Sequence, residues 1–336
     1  MGLIGIDVGN ANCKFALHDG GGYRFISERM PDNVVRDSEV VSPESLSRFL
    51  RDVRKKHRIR ERKCVLALNT ANIFFRHITL PPMTVSELVL NLPYEFRDFI
   101  QDDPDGYTYD YAVDEIVRDE DGNIERMELY AAAAHTALID SYAQFLRKAG
   151  FKLKAVTIAP MAYMALLRDY RESRGGGQLE DHDVVFVDIG HANVTIYLFR
   201  GWHFDSARTI DFGCDEFDRV IADMKGIDPF TAGNYKLSNF EGVMDSPECL
   251  AVCDRLAVEV SKVINFYSFN NPDREIGSIC FLGSGSRIPQ LTSAISEAVS
   301  LSTCTVEAFM PTTAASQENA SVCALAFSGL LESEAR

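Results

Sequence analysis

The chain has 336 residues, of which 46% are hydrophobic and 25% are charged, and its formal net charge is −15. This length and apolar content predict a large buried core divided between at least two domains. The acidic balance argues against nucleic acid as a partner, because affinity for its backbone comes mainly from Lys and Arg. No apolar run approaches the ~20 residues that span a bilayer, so we expect no direct membrane insertion.

The eight cysteines are expected to be free thiols in a reduced, cytoplasmic setting, since the sequence shows no secretory signal. No two of them have CxxC spacing. Cys249 and Cys253 are four residues apart, as on one face of a helix, and no histidine lies near them. We therefore interpret them as small core residues and not as zinc ligands.

The first 69 residues predict strands at about 2–8, 12–18 and 22–28, then a helix over 43–56 and a strand over 64–68. Ser42 is suited to cap the helix, with Pro43 at its first position. A helix over 159–170 is expected to close this half of the chain. The glycine-rich stretch that begins at Arg174 then predicts a linker.

The pattern of residue types changes at about residue 70, which predicts a small inserted subdomain. Its predicted elements are a strand over 73–80, a helix that begins at the capping box Thr84-x-x-Glu87, two strands around Asp121-Gly122-Asn123, and a helix over 136–149 ended by Gly150. The helix that follows Thr84 is expected to run past Phe96 with a kink or break at Pro93. The order β, α, β, β, α is self-contained, which predicts an α+β insertion over 70–155.

The remaining sequence predicts a second half. Strands are expected over 184–187, 194–199 and 278–282, and helices over 215–224, 247–267 and 288–299. The stretch 320–331 is expected to complete this half. The turn Gly283-Ser284-Gly285-Ser286 joins the strand over 278–282 to the helix after it. The predicted domains are therefore a first half (1–69 and 156–175), the insertion (70–155) and a second half (176–336).

One six-residue motif occurs in both halves, as Asp7-Val8-Gly9-Asn10-Ala11-Asn12 and as Asp188-Ile189-Gly190-His191-Ala192-Asn193. Each copy follows an apolar run and precedes a strand-like run, which predicts two homologous halves with both turns facing one cleft. Such turns suit phosphate, because glycine lets the backbone N–H groups approach an anion closely. The carboxylate before each turn could hold hydrated Mg²⁺. For a single copy, an ordinary tight hairpin with an acidic strand end would be the simpler interpretation.

With the third glycine-rich turn, these motifs resemble the actin, Hsp70 and sugar-kinase ATPase fold. Within that fold the chain is most similar to the PilM family of type IV pilus assembly, a relative of FtsA. The most family-specific stretch is His77-Ile78-Thr79-Leu80-Pro81-Pro82-Met83, followed by Glu87, a helix over 94–100 and Asp110-Tyr111. The resemblance implies an α/β, actin-like (ribonuclease H-like) duplicated fold with an inserted subdomain.

The resemblance also implies a site for ATP or ADP with Mg²⁺. Its residues would be Asp7, Gly9, Asn10, Ala11, Asn12, Lys14, Asp188, Gly190, His191, Ala192, Asn193, Gly213, Lys236, Gly283, Ser284, Gly285 and Ser286. Asp7 and Asp188 would position Mg²⁺ through water, and Lys14 would reach toward a phosphate. The alternative for Lys14 is a side chain that only extends to solvent from a strand, and Asn12 and Asn193 could simply cap their turns.

Four stretches depart from the family pattern, one of which is the turn at 283–286, where serines stand in place of the usual glycines. The segment 232–236 keeps the lysine of a family Ala-Glu-x-x-Lys helix but has Gly233 where the glutamate is usual, and only Gly213 is left of a Gly-Gly element. Ile158, Ala159 and Pro160 occupy the stretch where related ATPases place a residue that orients the attacking water. Because phosphoryl transfer depends on positioning, we expect nucleotide binding with slow or absent hydrolysis.

The resemblance implies a cytoplasmic scaffold that sits at the inner face of the membrane through its partner. That partner would be the cytoplasmic N-terminal tail of a PilN-like single-pass membrane protein, in a groove between the first half and the insertion. We expect the segments 73–83 and 87–100 to form its walls. Self-association stays open, as does service in a type II secretion or DNA-uptake system.

Two other functions are compatible with the same fold. An FtsA-like filament former would carry an amphipathic membrane helix after the core, which the residues after Leu331 do not provide. A small-molecule kinase would need a polar substrate pocket with a general base near the phosphate loops. The stretch after Ile73 is instead apolar and rich in proline, with an acidic helix.

Overall fold

The computed structural model describes residues 2–36, 39–69, 73–101, 103–174 and 182–335. The strands are β1 (Leu3–Val8), β2 (Asn12–Asp19), β3 (Gly22–Arg29), β4 (Val35–Arg36), β5 (Glu39–Val40), β6 (Lys63–Leu68), β7 (Ile73–Leu80), β8 (Tyr107–Arg118), β9 (Ile124–His135), β10 (Lys152–Ile158), β11 (Asp183–Ile189), β12 (Val194–Arg200), β13 (His203–Ile210), β14 (Ile276–Leu282) and β15 (Thr303–Thr305). The helices are α1 (Pro43–Lys56), α2 (Val85–Glu95), α3 (Thr136–Ala149), α4 (Ala159–Arg174), α5 (Asp215–Lys225), α6 (Pro229–Ser238), α7 (Pro247–Asn270), α8 (Pro289–Val299), α9 (Thr312–Ala315) and α10 (Ala324–Ala335).

The two five-stranded sheets have the same strand order and directions. The first is β10-β6-β1-β2-β3, and the second is β15-β14-β11-β12-β13. In each sheet the central strand pairs antiparallel with the next strand of the chain and parallel with a later one. In the first sheet β1 pairs with β2 and β6 in this way, and in the second β11 pairs with β12 and β14. The duplication that the repeated motif predicted is therefore confirmed at the level of the fold.

Helices α4 and α10 pack against each other between the two sheets. Their apolar side chains share one core with residues of both sheets, including Ala16 and Ala67 from the first and Phe186 and Phe199 from the second. Small residues allow the close approach of α10. A Cβ on Gly5 would overlap the carbonyl oxygen of Ala326, and a Cβ on Gly329 would lie 3.1 Å from Ala67 and Thr157. This packing fixes the two halves on either side of a shared helical layer.

Replacing Gly5 with alanine is expected to lower the free energy of unfolding by about 1–3 kcal/mol, the usual cost of overpacking a core. The new methyl group would press on Ala326 and would lie 3.3 Å from the Cβ of Leu330. Gly106→Ala is the control, because nothing lies within 4 Å of a Cβ at that position. Urea unfolding of both variants is the measurement. Equal stabilities would show that α10 does not press on β1.

The insertion is a three-stranded antiparallel sheet, β7-β9-β8, with α2 on one face. Side chains alternate along β9, so that Met127, Leu129, Ala131 and Ala133 share a core with Leu88 and Leu92 of α2. The intervening residues lie on the opposite face of the sheet. Thr84 and Glu87 form the predicted capping box, and α2 ends at Glu95, two residues after Pro93. Turns continue the chain to Ile100.

The structure divides residues 136–155 differently from the predicted boundary of the insertion. Helix α3 packs its Tyr142, Phe145 and Leu146 into the core of the first half, where α1 also packs. Strand β10 extends the first sheet beside β6. The β-α-β-β-α order looked self-contained, but the apolar face of α3 is buried against the first half and not against the small sheet. The predicted boundary at 175/176 lies outside the described residues.

Most other predicted elements are present with shifts of a few residues. The hairpin around Gly122 is longer than expected, since β8 and β9 each have 12 residues. Ser42 precedes α1 as its N-cap residue, but its side chain makes no capping hydrogen bond. All eight cysteines are free, and all but the half-buried Cys304 are buried. Within the described ranges, no helix has the length and apolar character needed to cross a membrane.

Candidate nucleotide cleft and peptide groove

The two copies of the motif fold into the same turn. The N–H of Gly9 donates to the carbonyl of Asn12 at 3.0 Å, and the N–H of Gly190 donates to the carbonyl of Asn193 at 3.0 Å. We call these turns the first loop (residues 9–12) and the second loop (residues 190–193). Each loop joins two antiparallel strands, and an aspartate is the next-to-last residue of the strand before it. Asp7 pairs with Lys14 across the first hairpin, and Asp188 pairs with Thr195 across the second.

Both loops line one cleft between the halves. Of the predicted site residues, the cleft is lined by Asp7, Gly9, Asn10, Ala11, Asn12, Lys14, Asp188, Gly190, His191, Ala192, Asn193, Gly283 and Ser284. A Cβ on Gly9 would lie 2.9 Å from Lys14 Nζ, and one on Gly190 would lie 2.7 Å from the carbonyl oxygen of Asn193. A Cβ at Gly190 would meet backbone, whereas one at Gly9 would meet the end of the Lys14 side chain. Because both residues lack a side chain, an anion in the cleft can approach the loop backbone closely.

Lys14 forms an ion pair with Asp7 in the wall of the cleft. Its Nζ lies 2.9 Å from Asp7 Oδ2, and both side chains are largely buried. Burial alone would lower the pKa of Lys14, but the charge and hydrogen bond of Asp7, with the charge of Asp188, raise it overall. The ammonium therefore stays charged, and its position places a cation beside the first loop.

Asp188 is the corresponding carboxylate of the second half. It accepts a hydrogen bond from the hydroxyl of the buried Tyr163, at 3.1 Å from Oδ2. Burial, with the charge of Asp7, raises the pKa of Asp188 to about 6 against the opposing effect of Lys14. At pH 7 this carboxylate is mostly ionised, as a ligand of a hydrated cation must be.

We expect the free energy of unfolding to fall as the pH rises from about 4 to 6 because of Asp188. Its pKa is about 6 in the folded chain and about 3.9 in an unfolded one. The folded chain therefore binds more protons in this window, and a rise in pH favours unfolding, by at most about 3 kcal/mol. In urea unfolding between pH 4 and 7, the stability of wild type relative to Asp188→Asn should fall as the pH rises. Identical profiles would contradict the assignment.

Four predicted residues lie behind the second loop and do not line the cleft. Lys236 donates to the carbonyl of Cys214 at 2.8 Å and lies 2.6 Å from Asp218 in a buried ion pair. A Cβ on Gly213 would lie 2.6 Å from the backbone N of Asn193, and one on Gly285 would lie 2.7 Å from Cys214 Sγ. The Ser286 hydroxyl donates to the carbonyl of Gly283 at 2.7 Å. These contacts support the second loop and the turn at 283–286. That the four residues contact nucleotide stays a prediction.

His191 is the second-loop residue that corresponds to Asn10. Burial and the charge of Lys236 lower its pKa against the opposing effect of Asp218, whose Oδ2 lies 3.9 Å from His191 Nδ1. The imidazole is therefore neutral at pH 7. It can then donate or accept a hydrogen bond at the cleft, but it adds no positive charge there.

The donor set fits a phosphate group with a hydrated Mg²⁺. Two carboxylates and the two glycine loops face the same cleft, and Mg²⁺ commonly binds one or two carboxylates, water and phosphate oxygens. Among the described residues, no group of three or more His, Cys, Asp or Glu side chains could hold a metal ion by itself. Any cation here would therefore depend on water and on ligand oxygens.

A second concave site, which we call the groove, lies between the insertion and the first half and has a volume of about 400 Å³. Strands β7, β8 and β9 form one side, and α3 and β10 form the other. The lining is mainly apolar, with Phe75, Ala132, Val156 and Met161 among its residues. Glu332 of α10 also lines the groove and accepts a hydrogen bond from Thr157.

The predicted walls of the groove are corrected in part. Ile73 and Phe75 of the segment 73–83 line it, but no residue of 87–100 does. Helix α2 is on the other face of the small sheet, because Leu88 and Leu92 pack on the β9 residues that point away from the groove. The capping box correctly predicted that a helix begins after Thr84, but it did not indicate which face of the sheet the helix covers.

The family model described as "Type IV pilus assembly protein PilM" matches residues 5–327 of the chain. The chain belongs to the PilM family. Among solved structures it resembles the "PilM-PilN type IV pilus biogenesis complex", with 20% identity, a TM-score of 0.78 and coverage of 98% of this chain and 97% of that chain. No curated protein sequence matches significantly.

Two further solved structures share the fold of this PilM-family chain. The ethanolamine utilization protein EutJ from Carboxydothermus hydrogenoformans is 14% identical, with a TM-score of 0.56 and coverage of 98% of this chain and 88% of that chain. MreB 5 of Spiroplasma citri bound to AMPPNP is 12% identical, with a TM-score of 0.50 and coverage of 98% and 94%. The predicted actin-like fold is thereby confirmed.

Several cleft residues of this PilM-family chain were not predicted. Three of them are Asn69, which directly follows β6, Thr195, which is near the start of β12, and Tyr142 of α3. Tyr163 of α4, which donates a hydrogen bond to Asp188, was not predicted either. The internal repeat could have found Thr195, because it occupies the position that Lys14 has in the first half. No local pattern marks Asn69, Tyr142 or Tyr163, since they reach the cleft through the packing of separate elements.

Proposed function

We propose that this PilM-family protein is a scaffold of type IV pilus assembly that binds ATP or ADP with Mg²⁺ in the cleft. The observation that carries the nucleotide proposal is the repeated turn, with its glycine N–H to asparagine carbonyl hydrogen bond in both halves. The backbone of the two loops would hold the phosphates, and Lys14 would face them. Asp7 and Asp188 would hold Mg²⁺ through water, and the ion would neutralise phosphate charge.

Hydrolysis of the nucleotide is expected to be slow or absent. At the predicted position of a water-orienting residue, Ile158 and Ala159 are buried and apolar. The neighbouring Thr157 hydroxyl is hydrogen bonded to Glu332 and lines the groove instead of the cleft. A nucleotide that is held without rapid turnover would act mainly by joining the two halves of the protein.

The groove is the proposed docking site for the cytoplasmic N-terminal tail of a PilN-like single-pass membrane protein. Its apolar lining suits a peptide with apolar side chains. β8 and β10 are edge strands of their sheets, and both contribute to the groove, so a peptide strand could pair along either. The solved PilM-PilN complex supports a partner of this class. Through that partner, the protein would be held at the cytoplasmic face of the membrane.

Calorimetric titration with two ligands tests the two parts separately. The ligands are ATP with Mg²⁺ and a synthetic peptide of the cytoplasmic tail of the PilN-like protein from the same organism. We expect one site for each, and we expect neither ligand to displace the other, because the cleft and the groove lie in different places. Folded protein that binds no peptide would overturn the docking role, and folded protein that binds no nucleotide would overturn the nucleotide role.

A further inference from the structure

Arg29 of the first half contacts helix α6 of the second half. It is the last residue of β3 in the first sheet, and its Nη1 donates to Asn234 Oδ1 at 2.8 Å. The guanidinium carbon lies 4.0 Å from the ring centre of Phe230, within the range of a cation–π contact. Asn234 and Phe230 both belong to α6, which lies in the second half.

Gly233 provides the space for this contact. A Cβ at position 233 would lie 3.0 Å from Arg29 Nη2 and 3.4 Å from Nη1. Gly233 is buried within α6, where glycine is unfavourable by about 1 kcal/mol relative to alanine. The Arg29 guanidinium therefore lies against α6 at a glycine, the residue type that is least favourable in a helix after proline.

Each end of the contact is also connected to one of the loops. Arg29 is opposite Asn12 in the β2–β3 ladder, and the N–H of Met30 donates to the carbonyl of Ala11 at 2.8 Å. On the other side, Lys236 of α6 donates to the carbonyl of Cys214, whose N–H donates to the carbonyl of Gly190 at 3.1 Å. A continuous series of contacts therefore runs from the first loop, through Arg29 and α6, to the second loop.

We propose that Arg29 and α6 form a clasp that holds the cleft closed and sets the rate at which nucleotide enters and leaves. The acceptors on α6 are a neutral amide and, at 3.5 Å, the carbonyl of Phe230. Among the described residues, no carboxylate forms an ion pair with Arg29, so the clasp can open without separating opposite charges. Its role in exchange rests on the proposed nucleotide function, whereas closure is a property of the nucleotide-free chain.

The closure is tested first without nucleotide. Spin labels on Glu44→Cys in α1 and Leu237→Cys in α6, with the half-buried Cys304 replaced by serine, report the distance between the halves. We expect Arg29→Ala and Gly233→Ala to lengthen and broaden this distance relative to wild type. Arg24→Ala is the matched control, because Arg24 is also on β3 but lies near Asp19 of the same half. Unchanged distances in both clasp variants would overturn the proposal.

Gly233→Ala is the sharper variant of the two. Alanine favours the helix, so a more open cleft cannot be explained by a weakened α6. If both substitutions remove the same contact, the Arg29→Ala and Gly233→Ala double variant should open no further than Arg29→Ala alone. Additive effects would indicate that Gly233 acts on something other than Arg29 and would contradict the clasp.

The exchange rate is tested with a fluorescent ATP analogue and Mg²⁺. We expect its dissociation to become roughly tenfold faster in Arg29→Ala and in Gly233→Ala, and to be unchanged in Arg24→Ala. Equal dissociation rates in all four proteins would overturn the role in exchange. If wild type does not bind the analogue, the proposed nucleotide function fails, and the label distances still decide whether the clasp exists.

Discussion

Asp7→Ala is expected to weaken the binding of ATP with Mg²⁺ by roughly 10- to 100-fold, the usual effect of losing a group that orients a bound metal ion. The carboxylate is on the cleft wall, where it would hold a water of the hydrated ion, and it also fixes Lys14 at 2.9 Å. Without it, the ammonium would be free to occupy the cation position. Isothermal titration of wild type and variant is the measurement.

Asp7→Ala also leaves a largely buried lysine without its ion-pair partner, which costs about 3–5 kcal/mol in typical cases. A double variant, Asp7→Ala with Lys14→Met, removes both charges and should recover most of this stability without recovering affinity. Asp19→Ala is the control, because that carboxylate is exposed at the end of β2. If the double variant bound nucleotide as tightly as wild type, the first loop and its ion pair would be structural only.

Ala132→Trp is expected to abolish measurable binding of the tail peptide while leaving nucleotide affinity unchanged. Ala132 is in the central strand of the insertion, on the face that lines the groove. An indole there would fill space that the peptide side chains need. Because the residue is only half-buried, we expect the fold to tolerate the larger side chain. Peptide titration by fluorescence anisotropy is the measurement, with ATP titration on the same sample as the check of folding.

Ser86→Trp provides the matched control for this substitution. Ser86 is exposed on α2, on the far side of the same small sheet, so it adds an indole to the insertion without touching the groove. Peptide binding that survives Ala132→Trp would exclude the groove. Loss of binding in Ser86→Trp alone would move the docking site to the face of the insertion that α2 covers.

Signals carried by neighbouring residues predicted local structure well. Thr84 and Glu87 form their reciprocal cap because both partners are three residues apart on one turn. Gly150 ends α3 in the left-handed conformation, at φ 92°, that a glycine adopts without strain. The repeated Asp-x-Gly motif predicted two equivalent turns because the same local sequence forms the same hydrogen bond in each half.

The limits of the sequence appear where several elements meet. The apolar stripe of α3 was equally compatible with the small sheet or the first half, and only the packed structure places Tyr142 and Phe145 in the first core. In the same way, α2 was predicted as a groove wall, although the alternation along β9 places it on the opposite face. The sequence also did not indicate that the Lys236 ammonium pairs with Asp218 behind the second loop. The contact of Lys236 with nucleotide stays a prediction.

By itself, the sequence determined that the chain is a duplicated α/β protein with a glycine turn after an aspartate in each half. It also determined which family the chain resembles. These features depend on residues that are close in the chain, where spacing and side-chain type decide the conformation. Only the tertiary structure decided that Tyr163 holds Asp188, that the groove opens away from α2, and that Arg29 reaches α6 across 205 residues of sequence. Such contacts arise from the packing of distant elements, and no local pattern records them.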